Sequence, residues 1–261
     1  MKITLIGTGN VAFHLGKRLR AQGVEIAQVV GRNAERAEWL AAVLATNFTT
    51  DFEKIRPSSD LFIIAVADDG IEEVAARLSP ILRNNFVVHT SGSVASAVLQ
   101  PFFKQFGTLY PLQTFSIGSQ PDFQRIPIFI NANSPNQADF LKKIAEKISP
   151  QVCEISVADR LTLHVAAVFV NNFTNHLFKI GAEILEKQRL PFDILLPLID
   201  ETVNKIRQQK PAAAQTGPAR RGDDATIEKH LNFLEKTTPQ YDLLYTLLSI
   251  SINENLHLNH P

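Results

Sequence analysis

Residues 7–12 read Gly7, Thr8, Gly9, Asn10, Val11, Ala12, and their types and spacing suit a pyrophosphate. In a Gly-x-Gly-x-x-Gly/Ala turn the first glycine permits the tight bend and the second lets a phosphate approach the backbone. The small third position lets a helix pack closely on its strand. The pattern alone is weak, but here it follows an apolar strand that starts at residue 3, and it opens a helix. The amino terminus of that helix adds free N–H groups and a partial positive charge. Gly7, Thr8, Gly9, Asn10 and Val11 are therefore expected to hold a dinucleotide.

The end of the second strand distinguishes the cofactors. An NAD site usually places Asp or Glu there, bonded to the ribose hydroxyls. This chain reads Val29, Val30, Gly31, Arg32, Asn33 instead. A guanidinium grips a 2′-phosphate with charge-assisted hydrogen bonds, whereas a carboxylate repels it. Arg32 therefore predicts NADP, with Arg36 one turn on as a second cation. The structural alternative for Arg32 is a solvated loop residue.

Ligands of doubly wound sheets sit beyond the carboxyl ends of the strands, so the loops at that edge matter most. Ala65, Val66 and Ala67 leave the strand at 61–66 and are expected beside the cofactor. Asp68 and Asp69 follow, with Asp69 and Glu72 reading as a capping box for the next helix. His89, Thr90 and Ser91 leave another strand. Thr90 and Ser91 are expected to touch the cofactor. His89 is either a proton-exchanging group or a satisfied core histidine. Tyr110 and Gln113 leave the strand after that and are expected to line a substrate pocket, although Tyr110 could equally pack.

A second polar set lies in the other half of the chain. The helix expected over 158–187 is apolar through 161–170 and then carries Asn171, Asn172, Asn175 and His176. His164, Asn171 and Asn175 recur at spacings of seven and four, which puts them on one face of a straight α-helix. Burying such amides without partners costs on the order of 1–3 kcal/mol each. The stripe therefore either serves an interface or a neighbouring helix, or orients a substrate carbonyl or hydroxyl. Arg220 and Arg221, flanked by glycines, suit a substrate carboxylate or phosphate; an Arg–Asp pair in an exposed loop is the structural alternative.

The elements that must position these residues alternate through the first half. Strands are expected over 3–6, 25–30, 61–66 and 86–89, with helices over 11–22, 34–44 and 71–82. Three more strand-like pieces, 107–109, 126–131 and 152–155, follow, with a helix over 134–148 that a Ser134–Gln137 box opens. This alternation predicts a parallel sheet covered on both faces, an α/β domain over 1–155. Strand signals then vanish. Helices are expected over 158–187, 193–209, 226–235 and 239–255, with a linker at 210–224, which makes 156–261 an all-helical domain for substrate and dimer contacts.

Composition limits the partners. The 261 residues are 45% hydrophobic and 20% charged, the ordinary globular range. Lys plus Arg and Asp plus Glu each number 26, so no basic excess favours nucleic acid. No apolar run reaches the roughly 20 residues of a membrane span, and no metal site is expected. Cys153, the single cysteine, lies in an apolar run and reads as a buried small hydrophobe rather than a reactive thiol. A cytoplasmic protein is expected.

Taken together, residues 7–12, 89–93, 110–115, 168–176 and 216–223 resemble bacterial Rossmann-like proteins whose helical second half is a domain of unknown function. These are similar to the wider group of pyrroline-5-carboxylate reductases, 6-phosphogluconate and 3-hydroxyisobutyrate dehydrogenases, and prephenate dehydrogenases. The close resemblance spans nearly the whole chain; the wider one is firm through the nucleotide domain. It implies a doubly wound Rossmann-like sheet followed by an all-α domain, a homodimer built through the helices, and an NADP-linked redox role. The chain also departs from these relatives. The helix lysine that hydroxyacid dehydrogenases carry four residues before an asparagine falls on Val168 or Ala167 here. Tyr110 stands where prephenate dehydrogenases carry a histidine before the proline.

The expected function is an NADP-dependent oxidoreductase that moves a hydride to or from a small, anionic carbonyl, imine or hydroxyl compound. Asn172, with Asn171 or Asn175, would hold the reacting atom. His164 or His89 would exchange the proton. Arg220 and Arg221 would bind the anionic group. The missing lysine leaves room for the alternative of a non-catalytic NADP(H) sensor or scaffold.

Overall fold

The computed structural model describes residues 1–253. Its chain forms two compact units, Met1–Asn171 and Asn172–Pro261. The first unit is built on β1 (Lys2–Ile6), α1 (Asn10–Ala21), β2 (Glu25–Val30), α2 (Ala34–Leu44), β3 (Asn47–Thr49) and β4 (Leu61–Ile64). It continues through α3 (Ile71–Leu82), β5 (Phe86–His89), β6 (Gln105–Pro111), β7 (Ile128–Ala132), α4 (Pro135–Ile148), β8 (Val152–Glu154) and α5 (Val157–Ala167).

The eight strands form one sheet in the order β3-β2-β1-β4-β5-β6-β7-β8. Every neighbouring pair is parallel except β6 and β7, which run antiparallel. The order reverses between β1 and β4. That reversal opens a crevice at the carboxyl ends of these strands, because the connections leave in opposite directions. Alternating side chains fill the two faces. Ile3, Leu5, Leu61 and Ile63 pack with Leu15, Leu40 and Leu141 from α1, α2 and α4. Ile6, Phe62 and Ile64 pack with Leu78 and Leu82 from α3. Both faces are dry, which explains why β4 reads Leu-Phe-Ile-Ile without polar alternation.

Several local expectations are met and others corrected. Ser134 caps α4 by accepting from the Gln137 N–H at 3.4 Å. The cap expected of Asp69 does not form: α3 starts at Ile71 behind Gly70, with no side-chain cap. Asp68 is turned instead to the Ser93 hydroxyl. Cys153 is exposed, because β8 is the last strand of the sheet. The first unit runs past 155 because α5 packs into it, with Arg160 only 1% exposed.

The helix expected over 158–187 is not one α-helix. A π-helical turn, Val168–Phe173, separates α5 from α6 (Thr174–Lys187). A π turn takes more residues than 3.6, so the face arithmetic that joined His164 to Asn171 and Asn175 fails there. Asn171, Asn172 and Asn175 are also exposed, which removes the burial cost expected for the stripe. The second unit continues with α7 (Leu196–Gln208), two single turns α8 (Pro211–Ala214) and α9 (Pro218–Arg221), α10 (Asp224–Thr237) and α11 (Asp242–Ile252). Residues 254–255 of the expected last helix lie outside the described residues. The core of this unit is small: Ala219 and Ile227 pack with Leu231 and Tyr245.

Candidate active site

The crevice between β1 and β4 holds a cavity of about 340 Å³. Its lining contains Gly7, Thr8, Gly9, Asn10, Val11, Ala65, Val66, Ala67, Thr90 and Gln113, all expected from the sequence, together with Phe115, which was not. Gly7 has φ +124°, and a Cβ there would lie 2.2 Å from the Ala65 carbonyl oxygen. Only glycine lets the β1 exit pass the β4 exit this closely. Gly9 is different: its φ is −83°, and a Cβ there would meet nothing within 4 Å. Neither backbone nor packing requires glycine at that position, so the space in front of it is room for a ligand. No side chain caps α1 at Gly9, which leaves first-turn N–H groups to an anion. The Asn10 amide is spent elsewhere, donating to the Phe115 carbonyl at 2.7 Å, and it ties α1 to the loop after β6.

A second cavity, of about 420 Å³, shares Gly7, Thr8, Val66 and Ala67 and extends over the β2 exit. Arg32 lines it. Arg77 and Phe52 do too, the guanidinium lying 3.9 Å from the ring centroid. Sequence reasoning missed this pair, because Phe52 and Arg77 are 25 residues apart and join only through the fold. Arg36 is not in the lining; its backbone N–H is held by the Asn33 side chain. The two cavities together fit a dinucleotide with a 2′-phosphate. First-turn N–H groups of α1 face one part; Arg32, Arg77 and the Phe52 ring line the other, together with the carboxylates Asp69 and Glu73.

Behind Thr90 lies a polar cluster. Arg160 donates to the Ser91 and Val94 carbonyls, while its Nε has no hydrogen-bond partner among the described residues. Ser91 Oγ accepts the Ser93 and Val94 N–H groups at 3.1 and 3.0 Å. Ser91 is thus committed to shaping the 91–94 turn and does not line the cavity, contrary to its expected cofactor contact. Tyr110 Oη lies 3.1 Å from His164 Nδ1. Tyr110 lies outside the Gly7–Phe115 cavity lining and is 8% exposed. Burial raises the tyrosine pKa, and the Arg160 charge opposes that rise. Burial also lowers the Arg160 pKa.

His89 is corrected. It is fully buried, with Nδ1 accepting from the Ser91 N–H at 3.2 Å and Nε2 lying 3.4 Å from Thr108 Oγ1. Burial, aided by Arg160, lowers its pKa to about 4. A neutral histidine with both nitrogens engaged and no surface is a core residue, not a proton donor to a ligand.

In the second unit, Asn172 and Asn175 are exposed, as is Arg220. Arg221 pairs with Asp223 at 3.8 Å, the structural alternative for that residue. Asp223 in turn caps α10 through the Thr226 N–H and hydroxyl, which together lower its pKa. Among the described residues no group of His, Cys, Asp and Glu is arranged to hold a metal.

A mostly parallel sheet with a glycine turn at its switch point and apolar packing on both faces defines a Rossmann-like nucleotide-binding domain. Residues 2–93 match the family described as NADP oxidoreductase, coenzyme F420-dependent, and residues 126–252 match the domain of unknown function DUF2520. A Bacteroides fragilis crystal structure named as a candidate NADP oxidoreductase is 41% identical, with 97% of this chain and 98% of that one covered and a TM-score of 0.92. The chain belongs to that family, in which an NADP oxidoreductase domain precedes a DUF2520 domain. The fold is also that of an imine reductase from Myxococcus stipitatus in complex with NADP+ (16% identity, 98% and 95% covered, TM-score 0.68). A pyrroline-5-carboxylate reductase from Coxiella burnetii shares it too (16%, 96% and 97%, 0.58). No curated protein matches the chain.

Two outcomes follow. Arg32→Ala should weaken NADPH binding by about tenfold or more while leaving NADH nearly unchanged; equal losses in calorimetric titrations would contradict the 2′-phosphate assignment. For His89 the folded pKa lies below the unfolded value of 6.5, so the unfolded chain takes up the proton first as pH falls. Stability should therefore drop by up to about 3 kcal/mol between pH 6.5 and 4. His89→Gln should flatten that part of the curve in urea unfolding; an unchanged slope would contradict the buried neutral state.

Proposed function

We propose that this chain is an NADPH-linked oxidoreductase for a small carbonyl, imine or hydroxyl compound. The observation that carries the reading is the open space in front of Gly9, set between uncapped N–H groups of α1 and the Ala65–Ala67 backbone at the switch point. Gly7, Thr8, Gly9, Asn10 and Val11 would hold the pyrophosphate. Arg32, with Arg77, would hold the 2′-phosphate, and Ala65, Val66, Ala67 and Thr90 would wall the rest. The bound cofactor supplies the hydride. His164, partnered by Tyr110, is the titratable group left for proton exchange once His89 is removed from that role. Asn172, Asn175, Arg220 and Arg221 belong to the second unit, and their proposed substrate contacts rest on the sequence pattern alone.

A homodimer is proposed through the second unit. Its helices leave large apolar side chains in solvent, among them Leu198 at 63% and Leu243 at 65% exposure. Apolar surface in that amount on one helical body calls for a partner, and a second copy is the simplest one. Among the described residues no helix is long and apolar enough to cross a membrane.

The sensor reading retains one supporting observation, the absence of lysine at Ala167 and Val168. Turnover separates the two. NADPH oxidation should be measurable with at least one member of a panel of small ketones, aldehydes, cyclic imines and oxo-acids. His164→Ala should lower its rate by about 100-fold with NADPH affinity within about twofold of wild type. Tight NADPH binding with no oxidation across the panel would overturn the enzymatic reading.

A further inference from the structure

Tyr110 and His164 meet under tight constraint. A Cβ on Gly92 would lie 2.5 Å from His164 Nδ1 and 2.7 Å from Tyr110 Cζ, so the glycine backbone presses both rings together. The rings meet edge to face, 5.9 Å between centroids at 71°. The loop that carries Gly92 is fixed at Ser91 and Val94 by Arg160, which sits one helical turn before His164 on α5. Thr90, two residues before Gly92, lines the cofactor-sized cavity.

The hydrogen bond between them can run either way in principle, and burial chooses. Among the described residues, the Tyr110 hydroxyl has one hydrogen-bond partner, His164 Nδ1. If Nδ1–H donated to the phenol, the buried phenolic proton would lack an acceptor, at a cost on the order of 1–3 kcal/mol. If the phenol donates, its proton is satisfied and neutral His164 must carry its own proton on Nε2. That nitrogen makes no hydrogen bond among the described residues, and the imidazole is half-buried. The charged groups around the pair are Arg160 on α5 and Asp68 in the loop after β4, with neutral His89 at the end of β5. Asp68 is held by the Ser93 hydroxyl.

We propose that Tyr110 is a positioning residue that fixes neutral His164 as its Nε2–H tautomer, so that Nε2, and not Nδ1, is the nitrogen left to give a proton to a reacting atom. The inference rests on the oxidoreductase reading above and names the nitrogen that would exchange the proton. For a carbonyl substrate in the reductive direction, bound NADPH would supply the hydride of the new C–H bond and be left as NADP+, while the carbonyl π pair would move onto oxygen. The proton that completes the hydroxyl leaves Nε2 as Nδ1 takes the phenolic proton, and solvent then restores the relay. The Arg160 guanidinium, which has no carboxylate within salt-bridge distance among the described residues, lies beside the transient phenolate as its counter-charge.

The test has two arms. Nitrogen-15 NMR of the histidine rings at neutral pH, assigned with His164→Gln, should show His164 protonated at Nε2 and unprotonated at Nδ1. Tyr110→Phe should relax that preference toward a mixture without changing NADPH affinity more than about twofold. Nδ1 protonated in the wild type, or a tautomer unchanged in Tyr110→Phe, would overturn the positioning role. With the panel compound that is turned over fastest, Tyr110→Phe should lower kcat by about tenfold with little change in KM. An unchanged kcat would overturn the positioning role. Turnover of no panel compound would overturn the oxidoreductase reading, while the spectrum would still decide the tautomer on its own.

Discussion

The close passage of the β1 exit over the β4 exit shapes everything at the binding edge. With Gly7 at φ +124° and no room for a Cβ beside the Ala65 carbonyl, the chain can turn directly from the sheet into α1. A bulkier turn would lift α1 away from the crevice and move its free N–H groups off the switch point. The parallel order around β1 and β4 supplies the crevice, and the dry packing on both sheet faces keeps its walls fixed. Cofactor binding in this family is thus a backbone property first. Side chains such as Arg32 and Arg77 line the neighbouring cavity, where the proposed 2′-phosphate contact would be made.

A second constraint operates behind the cavity. Arg160 is buried without a carboxylate partner among the described residues and spends two nitrogens on loop carbonyls. A charge is expensive to place there. It fixes the 91–94 turn, helps keep His89 neutral, and stands near Tyr110. The chain has no net charge, so this local cation is not part of a general positive field. The lysine of the hydroxyacid dehydrogenases is missing from α5 and the π turn, and His164 is the one histidine that α5 carries.

Much of the first unit was legible because strand and helix signals alternate and glycine turns punctuate them. The elements at 25–30, 34–44, 71–82 and 86–89 fall where patterning placed them. β3 escaped notice because three residues, Asn47–Thr49, carry no periodicity. The π turn escaped because a 3.6-residue template assumes the very regularity it breaks. Cys153 looked buried because an apolar run does not reveal that its strand is last in the sheet. At the site, the glycine turn and Arg32 were readable from local spacing. Arg160 was not, since its partners lie 69 and 66 residues away and a single arginine on a helix reads as a surface charge. The split between His89 and His164 also needed burial, which sequence alone left open.

The central claim, that the space before Gly9 is where the cofactor's pyrophosphate lies, is tested most directly by titrating NADPH calorimetrically into wild type and Gly9→Val. The backbone at Gly9 is extended and a Cβ would meet nothing, so the variant should melt within a degree or two of wild type. If the account holds, its NADPH affinity falls by about tenfold or more. A variant that folds normally and binds NADPH with wild-type affinity would contradict it.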